Sequence, residues 1–364
     1  MTSAPVIIKL RPEQFGDVER VLATTNGLTA STFRYSTGVA GLRLRNTLGR
    51  VDLLPFQGQQ IWDAEFLGRR LTMHSMFEEP SPTQDYLRTY GAFFIHCGAT
   101  AMGNPGPNDR HPLHGELPNV RYDTAELLIG QADGVPFMAL TGEYQHRSAY
   151  SHHYIAKPEV RLCSGDSRVR VELSIRNLRQ SPMELMYLAH INFRPVDGAC
   201  LIDAVPDDTT HIKVRTSLPG GTIPSDAHRA LTDAVLTDPA AHRQMQPGRR
   251  IDPELVMTMA YPADADGWAH SMQLHPDGNA DFVSHRPEEL PHVVRWMSRT
   301  GDEDALGMAL PATAGADGYM AEKAKGNVRI LPPGEEFRCR LVFGALTAKN
   351  AKRMRASIEA ARRS

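Results

Sequence analysis

Nine consecutive residues, Arg168-Val-Arg-Val-Glu-Leu-Ser-Ile-Arg176, alternate polar and apolar without a break. Val169, Val171, Leu173 and Ile175 fall on one side, as a period of two requires. Such a run specifies a half-buried antiparallel strand, with one face on a core and the other in water. The pattern recurs along the chain. Segments 33–45, 51–62, 119–130, 135–147, 183–193, 255–261, 268–274, 292–297, 305–310, 327–331 and 337–343 read as strands between clusters of Gly, Pro, Asn and Asp. Asp133-Gly134 and Pro332-Pro-Gly-Glu335 mark hairpins, and residues 262–267 a turn between two strands. Residues 203–250, rich in Pro, Asp, His and Gly, read as loops over one end of the sheets. Helical spacing occurs only near the ends. About 11–24 has Pro12 in a first turn with Phe15, Val18 and Leu22 on one face, and about 348–363 carries Met354, Ile358 and Ala361. With no internal repeat and no break in composition, residues 1–364 are expected to form one all-β domain, a large β-sandwich with short terminal helices.

Net charge is −2, with both signs mixed along the chain, which argues against nucleic acid as a partner. No apolar run approaches the roughly 20 residues of a membrane span. The N-terminus lacks a basic stretch followed by an apolar one, and Cys97, Cys163, Cys200 and Cys339 form no close pair. A cytoplasmic protein with reduced thiols is the expectation.

Function is sought in His111-Pro-Leu-His-Gly-Glu-Leu-Pro-Asn119, two histidines on a loop shaped by Pro and Gly. Loops on rigid scaffolds gather binding groups, although a plain turn with solvated histidines has the same spelling. Pro55-Phe-Gln-Gly-Gln-Gln-Ile-Trp62 adds amides and an aromatic face, which suit a polar ring; Trp62 as a core residue is the plainer reading.

Taken with His190-Ile-Asn-Phe193, Leu290-Pro-His-Val-Val-Arg-Trp296 and Leu331-Pro-Pro-Gly-Glu335, these segments resemble the galactose mutarotase-like superfamily. Within it they are most similar to the aldose 1-epimerase-like DUF4432 branch, over about residues 35–345. The resemblance implies a β-supersandwich with a carbohydrate site. It implies that His190 is the general acid on the ring oxygen and that His114 binds the sugar. It also implies a glutamate base late in the chain, and here the sequence departs: the aligned positions hold Ala309, Leu310 and Pro311.

Opening a hemiacetal takes a base for the O1 proton and an acid for the ring oxygen, each contributing roughly 10²–10⁴ in rate. Glu116 is a candidate for the displaced carboxylate, or a loop acid and nothing more. Gln57, Gln59, Trp62, His74, His111, Asn192 and Arg194 complete the expected substrate-binding set. Arg194 would pair with an anionic substituent, or else with a surface carboxylate. No cofactor is expected on this reading. A second reading places a divalent metal on His111, His114 and His190, drawn from a wider group with His74 and His96, for isomerase, lyase or hydrolase chemistry on a sugar. A third is a sugar-binding protein without catalysis. The partner in each case is a small carbohydrate, and an edge strand leaves a homodimer open.

Overall fold

The alternation at 168–176 is strand β12 (Arg168–Asn177), and its four apolar side chains are all buried. A computed structural model of the chain describes residues 4–218 and 222–363. In it β12 lies near the middle of a nine-stranded sheet. From one edge the order is β1 (Val6–Leu10), β9 (Thr124–Ala132), β10 (Val135–Ser148), β11 (His152–Cys163) and β12. It continues through β22 (Glu336–Leu346), β18 (Ala280–His285), β17 (Ala269–Leu274) and β14 (Cys200–Asp203).

A thirteen-stranded sheet packs against it. Its path begins β15 (Ile212–Val214), β16 (Ile251–Met259), β19 (His292–Arg299), β20 (Asp304–Ala312), β13 (Met183–Ile191) and β8 (Phe94–Ala99). It ends β6 (Ile61–Phe66), β5 (Gly49–Leu53), β4 (Ala40–Asn46), β3 (Leu28–Arg34) and β2 (Arg20–Thr25). Two short strands, β7 (Arg69–Arg70) and β21 (Arg329–Leu331), attach to β6 and β13. The ladders are antiparallel throughout. This is the all-β sandwich that the turn spacing implies. Helix α2 (Ala348–Ala361) sets Ile358 and Ala361 on a satellite cluster with Met272 and Phe282 of the smaller sheet.

Several local expectations are corrected. No helix covers residues 11–24: Pro12–Gln14 make one 3-10 turn, and Arg20–Thr25 is β2. A helix there would have had little to bury, since Phe15 docks edge-on against Phe56 while Val18 stays 71% exposed. Segment 33–45 divides into β3 and β4 around a turn closed by Tyr35 N–H to the Val39 carbonyl at 2.9 Å. The turn at 332–335 is not a hairpin. It carries the chain from β21, paired with β13, across to β22 in the other sheet. The 262–267 turn likewise joins β16 and β17 of different sheets. Segment 203–250 holds β15 and helix α1 (Asp226–Thr237), whose N-cap Ser225 accepts from His228 N–H at 3.1 Å.

Strand β13 shows which way each face points. Tyr187 meets Phe337 of β22, ring centroids 6.1 Å apart, so the odd-numbered residues face the smaller sheet. Leu188 and His190 face outward. On β19 the inward residue is Arg295, bonded to Asp203 of β14, and Val294 and Trp296 face outward.

Burial also loads the fold with neutral imidazoles. His96, His242 and His285 are each pushed down to about 3, first by burial, and His190 to about 4. Their unfolded value is about 6.5. The folded values are lower, so the unfolded chain binds more protons at intermediate pH. Stability from these groups is complete above about pH 6.5 and is lost as pH falls toward the folded values. Each group contributes a slope of about 1.4 kcal/mol per pH unit. Urea midpoints are therefore expected to fall steeply between pH 7 and pH 5.

Candidate functional site

The outward side chains of four neighbouring strands floor a cavity of about 460 Å³. Glu254 and Val256 come from β16, Val294, Trp296 and Ser298 from β19, Leu310 from β20, and Leu188 and His190 from β13. Loops close it with Tyr86 and Tyr90 on one side, Asn104 and His114 on another, and Arg215 beyond β15.

His114 enters because of how its loop is folded. His114 N–H donates to the Gly103 carbonyl at 3.0 Å, and Gly98 N–H donates to the His114 carbonyl at 2.9 Å. These bonds press the loop onto the end of β8. His114 and Gly115 both take left-handed conformations, φ 60° and 80°. A Cβ at Gly115 would lie 2.2 Å from the Ala101 carbonyl oxygen, so the approach requires glycine.

His114 and His190 meet edge to face, centroids 5.3 Å apart. Tyr86 packs on His114, and Tyr90 and Trp296 pack on His190 at 5.9 and 5.5 Å. The Nδ1 atoms of both histidines are buried and have no hydrogen-bond partner among the described residues. Inside the cavity, a polar atom in this state is available to a ligand or to solvent. Burial holds the His190 imidazole down at about 4, partly offset by the Asn192 side chain. His114 is held well below its ordinary value, by burial and then by His190, His111 and Arg215. Both imidazoles are neutral in the free protein at pH 7.

Among the described residues, two carboxylates line the cavity. Glu254 accepts from Trp296 Nε1 at 2.7 Å and pairs with Arg215. Glu303 stands in the turn before β20. Burial, and then Asp302, raise its carboxyl above the ordinary value against a lowering by His74.

The remaining expected residues lie elsewhere. Glu116 accepts from Ala99 N–H, Thr100 N–H, the Thr100 hydroxyl and the Tyr154 hydroxyl at 3.2, 3.1, 2.8 and 2.5 Å, which ties the loop to β8 and β11. His111 bonds the Pro112 carbonyl through Nδ1 at 2.8 Å and accepts Tyr319 N–H through Nε2 at 3.3 Å. His111, His114 and His190 therefore do not converge, and no group of three or more potential metal ligands gathers among the described residues. His96 is in the core on the Tyr187 hydroxyl at 2.8 Å. Trp62 is 2% exposed within the core. Gln57 bonds the Ser81 carbonyl at 3.0 Å and borders a separate groove, and Gln59 is buried on the Pro55 carbonyl at 3.1 Å. The neighbouring Gln60 grips the Pro118 carbonyl at 2.6 Å, so this amide-rich turn clamps the histidine loop and takes no place in the cavity. Asn192 lies beneath the site, with Nδ2 on the Ala92 carbonyl at 3.0 Å and Oδ1 3.5 Å from the Tyr90 hydroxyl. Arg194 donates to the Thr72 carbonyl at 3.2 Å, outside the cavity lining. His74 is exposed and joined to Asp304 through its backbone. Tyr86, Tyr90, Arg215, Glu254, Trp296 and Glu303 line the cavity although the sequence reading gave them no site role.

A family model described as Domain of unknown function (DUF4432) matches residues 36–345. No curated protein matches the chain. Among solved structures, a Klebsiella pneumoniae protein provisionally named an aldose 1-epimerase superposes with a TM-score of 0.78 at 16% identity. That match covers 98% of this chain and 92% of the other. A galactose mutarotase-like protein from Clostridium acetobutylicum gives 0.59 at 11% identity, covering 88% and 99%. A protein of Escherichia coli K12, also provisionally named an aldose 1-epimerase, gives 0.51 at 15%, covering 88% and 99%. At these identities the likeness is one of fold: the two sheets form the galactose mutarotase-like sandwich.

Proposed function

The chain belongs to the DUF4432 family, and from that premise we propose that it is an aldose 1-epimerase-like enzyme interconverting the anomers of a monosaccharide or a sugar derivative. One observation carries the reading. His114 and His190 meet in one cavity, each with a buried and unsatisfied ring nitrogen, beside the partly exposed face of Trp296. The volume suits a small ligand, and the mixed lining of aromatic rings with a few fixed polar groups suits a sugar ring. Trp296 takes the part of platform that the sequence reading gave to Trp62. Glu254, oriented by Trp296 and Arg215, would accept hydroxyl hydrogens. His114 would hold a hydroxyl, and His190 would move a proton at the anomeric centre. The names of the structural neighbours accord with this reading.

NMR exchange between the anomers of a panel of neutral and acidic monosaccharides tests it. Accelerated exchange is expected for at least one sugar, inherited by His114→Ala with Kd about fivefold higher, as for one lost hydrogen bond. Binding without exchange across the panel would make this a carbohydrate-binding protein instead. Exchange abolished by chelation and restored by a divalent ion would favour metal-assisted chemistry.

A further inference from the structure

We infer that Glu303 is the second proton-transfer group of this site, acting on the same sugar as His190; the inference rests on the epimerase reading above. The positions where the resemblance puts a glutamate hold Ala309, Leu310 and Pro311, and of these Leu310 is part of the cavity wall. The reaction still requires two proton-transfer groups on one sugar. Of the two carboxylates in the cavity, Glu254 is committed to Arg215 and Trp296. Glu303 is free. Its side chain makes no hydrogen bond or ion pair among the described residues, yet its backbone is pinned. Glu303 N–H donates to the Thr300 hydroxyl at 3.0 Å, and Thr300 N–H donates to the Glu303 carbonyl at 2.8 Å. A half-buried carboxylate with a fixed backbone and an uncommitted side chain, lining the same cavity as His114 and His190, is poorly explained by stability alone.

Protonation supports the pairing. Glu303 is raised above its ordinary 4.5, by burial and then Asp302, whereas burial leaves His190 at about 4. Burial thus keeps His190 a neutral free base and makes the protonated form of Glu303 more accessible. In ring opening the O1 proton passes to His190, and the O1–H electron pair forms the C1=O1 bond. The bond from C1 to the ring oxygen breaks with its electrons going to that oxygen, which takes the Glu303 carboxyl proton. Rotation about the C1–C2 bond and the reverse transfers close the ring on the other face.

Glu303→Gln should slow anomer exchange by at least about 100-fold, with sugar Kd within about threefold of wild type and the unfolding midpoint unchanged. Glu303→Asp, shorter but ionisable, should recover part of the rate. Wild-type exchange in Glu303→Gln, with His190→Ala inactive, would overturn the role of Glu303 and leave the epimerase reading in place. Equal losses in the Gln and Asp variants, tracking a rise in Kd, would also overturn it, making Glu303 a binding residue. No exchange by the wild-type protein on any sugar would overturn the reading itself and this inference with it.

Discussion

His190→Ala is expected to lower the rate of anomer exchange by about 10²–10⁴-fold, the contribution of one positioned proton-transfer group. The prediction depends on the direction of the side chain. β13 sends Tyr187 inward to Phe337 and, with a period of two, sends Leu188 and His190 outward into the cavity. The imidazole is 4% exposed and wedged between the rings of His114, Tyr90 and Trp296, so it has few rotamers to explore. Its Nδ1 satisfies nothing in the protein. Deleting the ring breaks no bond on that atom but leaves a gap among the packed rings, so His190→Ala should lose stability as well as rate. His190→Gln, closer in volume, separates lost chemistry from lost packing: both variants should be slow, with Kd near wild type in the Gln variant. Two-dimensional exchange NMR gives the rate, and calorimetric titration gives the affinity. A folded His190→Ala that anomerises sugar at the wild-type rate would remove this residue from the chemistry.

How much of this could be read before folding depended on how local each signal was. The alternation of β12 and the Asp133-Gly134 hairpin are written in adjacent residues, and both formed as spelled, with Ala132 opposite Val135. His114-Gly115 and His190 were legible for the same reason, a motif within a few residues of itself. Trp296, Glu254, Arg215 and Tyr90 come from four segments that meet only through sheet pairing and loop closure. The Trp296–Glu254 bond spans 42 positions. At 294–296 the period of two puts Val294 and Trp296 on the face opposite Arg295, but which face turns inward is decided by the distant Asp203. The Gln57 to Trp62 segment misled because amides that clamp a loop and amides that hold a sugar have the same spelling. Only the neighbouring Pro118 carbonyl, 58 positions away, distinguishes them. Likewise, Glu116 follows the site histidine in sequence, but its four donors belong to β8, the residue after it and β11.

Asp203→Ala is expected to destabilise the fold by about 3–5 kcal/mol, the range for breaking a buried ion pair from one side. Arg295 is 0% exposed on the inward face of β19, and its one carboxylate partner among the described residues is Asp203, at 2.7 Å. Its other contacts are neutral: the Met308 carbonyl at 2.8 Å, the Tyr261 hydroxyl at 2.7 Å and His242 at 2.6 Å. His242 offers no counter-charge: burial and then Arg295 hold its imidazole neutral, and its protonated form would be a second cation. Without Asp203 the guanidinium is left between the sheets uncompensated. Arg295→Met should cost less, since Asp203 keeps Arg243 at 2.8 Å, and the thioether fills much of the vacated space. The double variant should then be more stable than Asp203→Ala alone, because removing both charges removes the penalty that either single loss exposes. Burial alone would raise the Asp203 carboxyl, but Arg295 and Arg243 outweigh it and hold the group far below the ordinary range. Its contribution is thus complete above the unfolded carboxylate value of about 3.9 and disappears only as pH falls below that. Urea unfolding of the three variants at pH 7.5 (above the histidine window) isolates the pair. A double variant no more stable than Asp203→Ala would mean that packing around Arg295, not its charge, holds the two sheets together here.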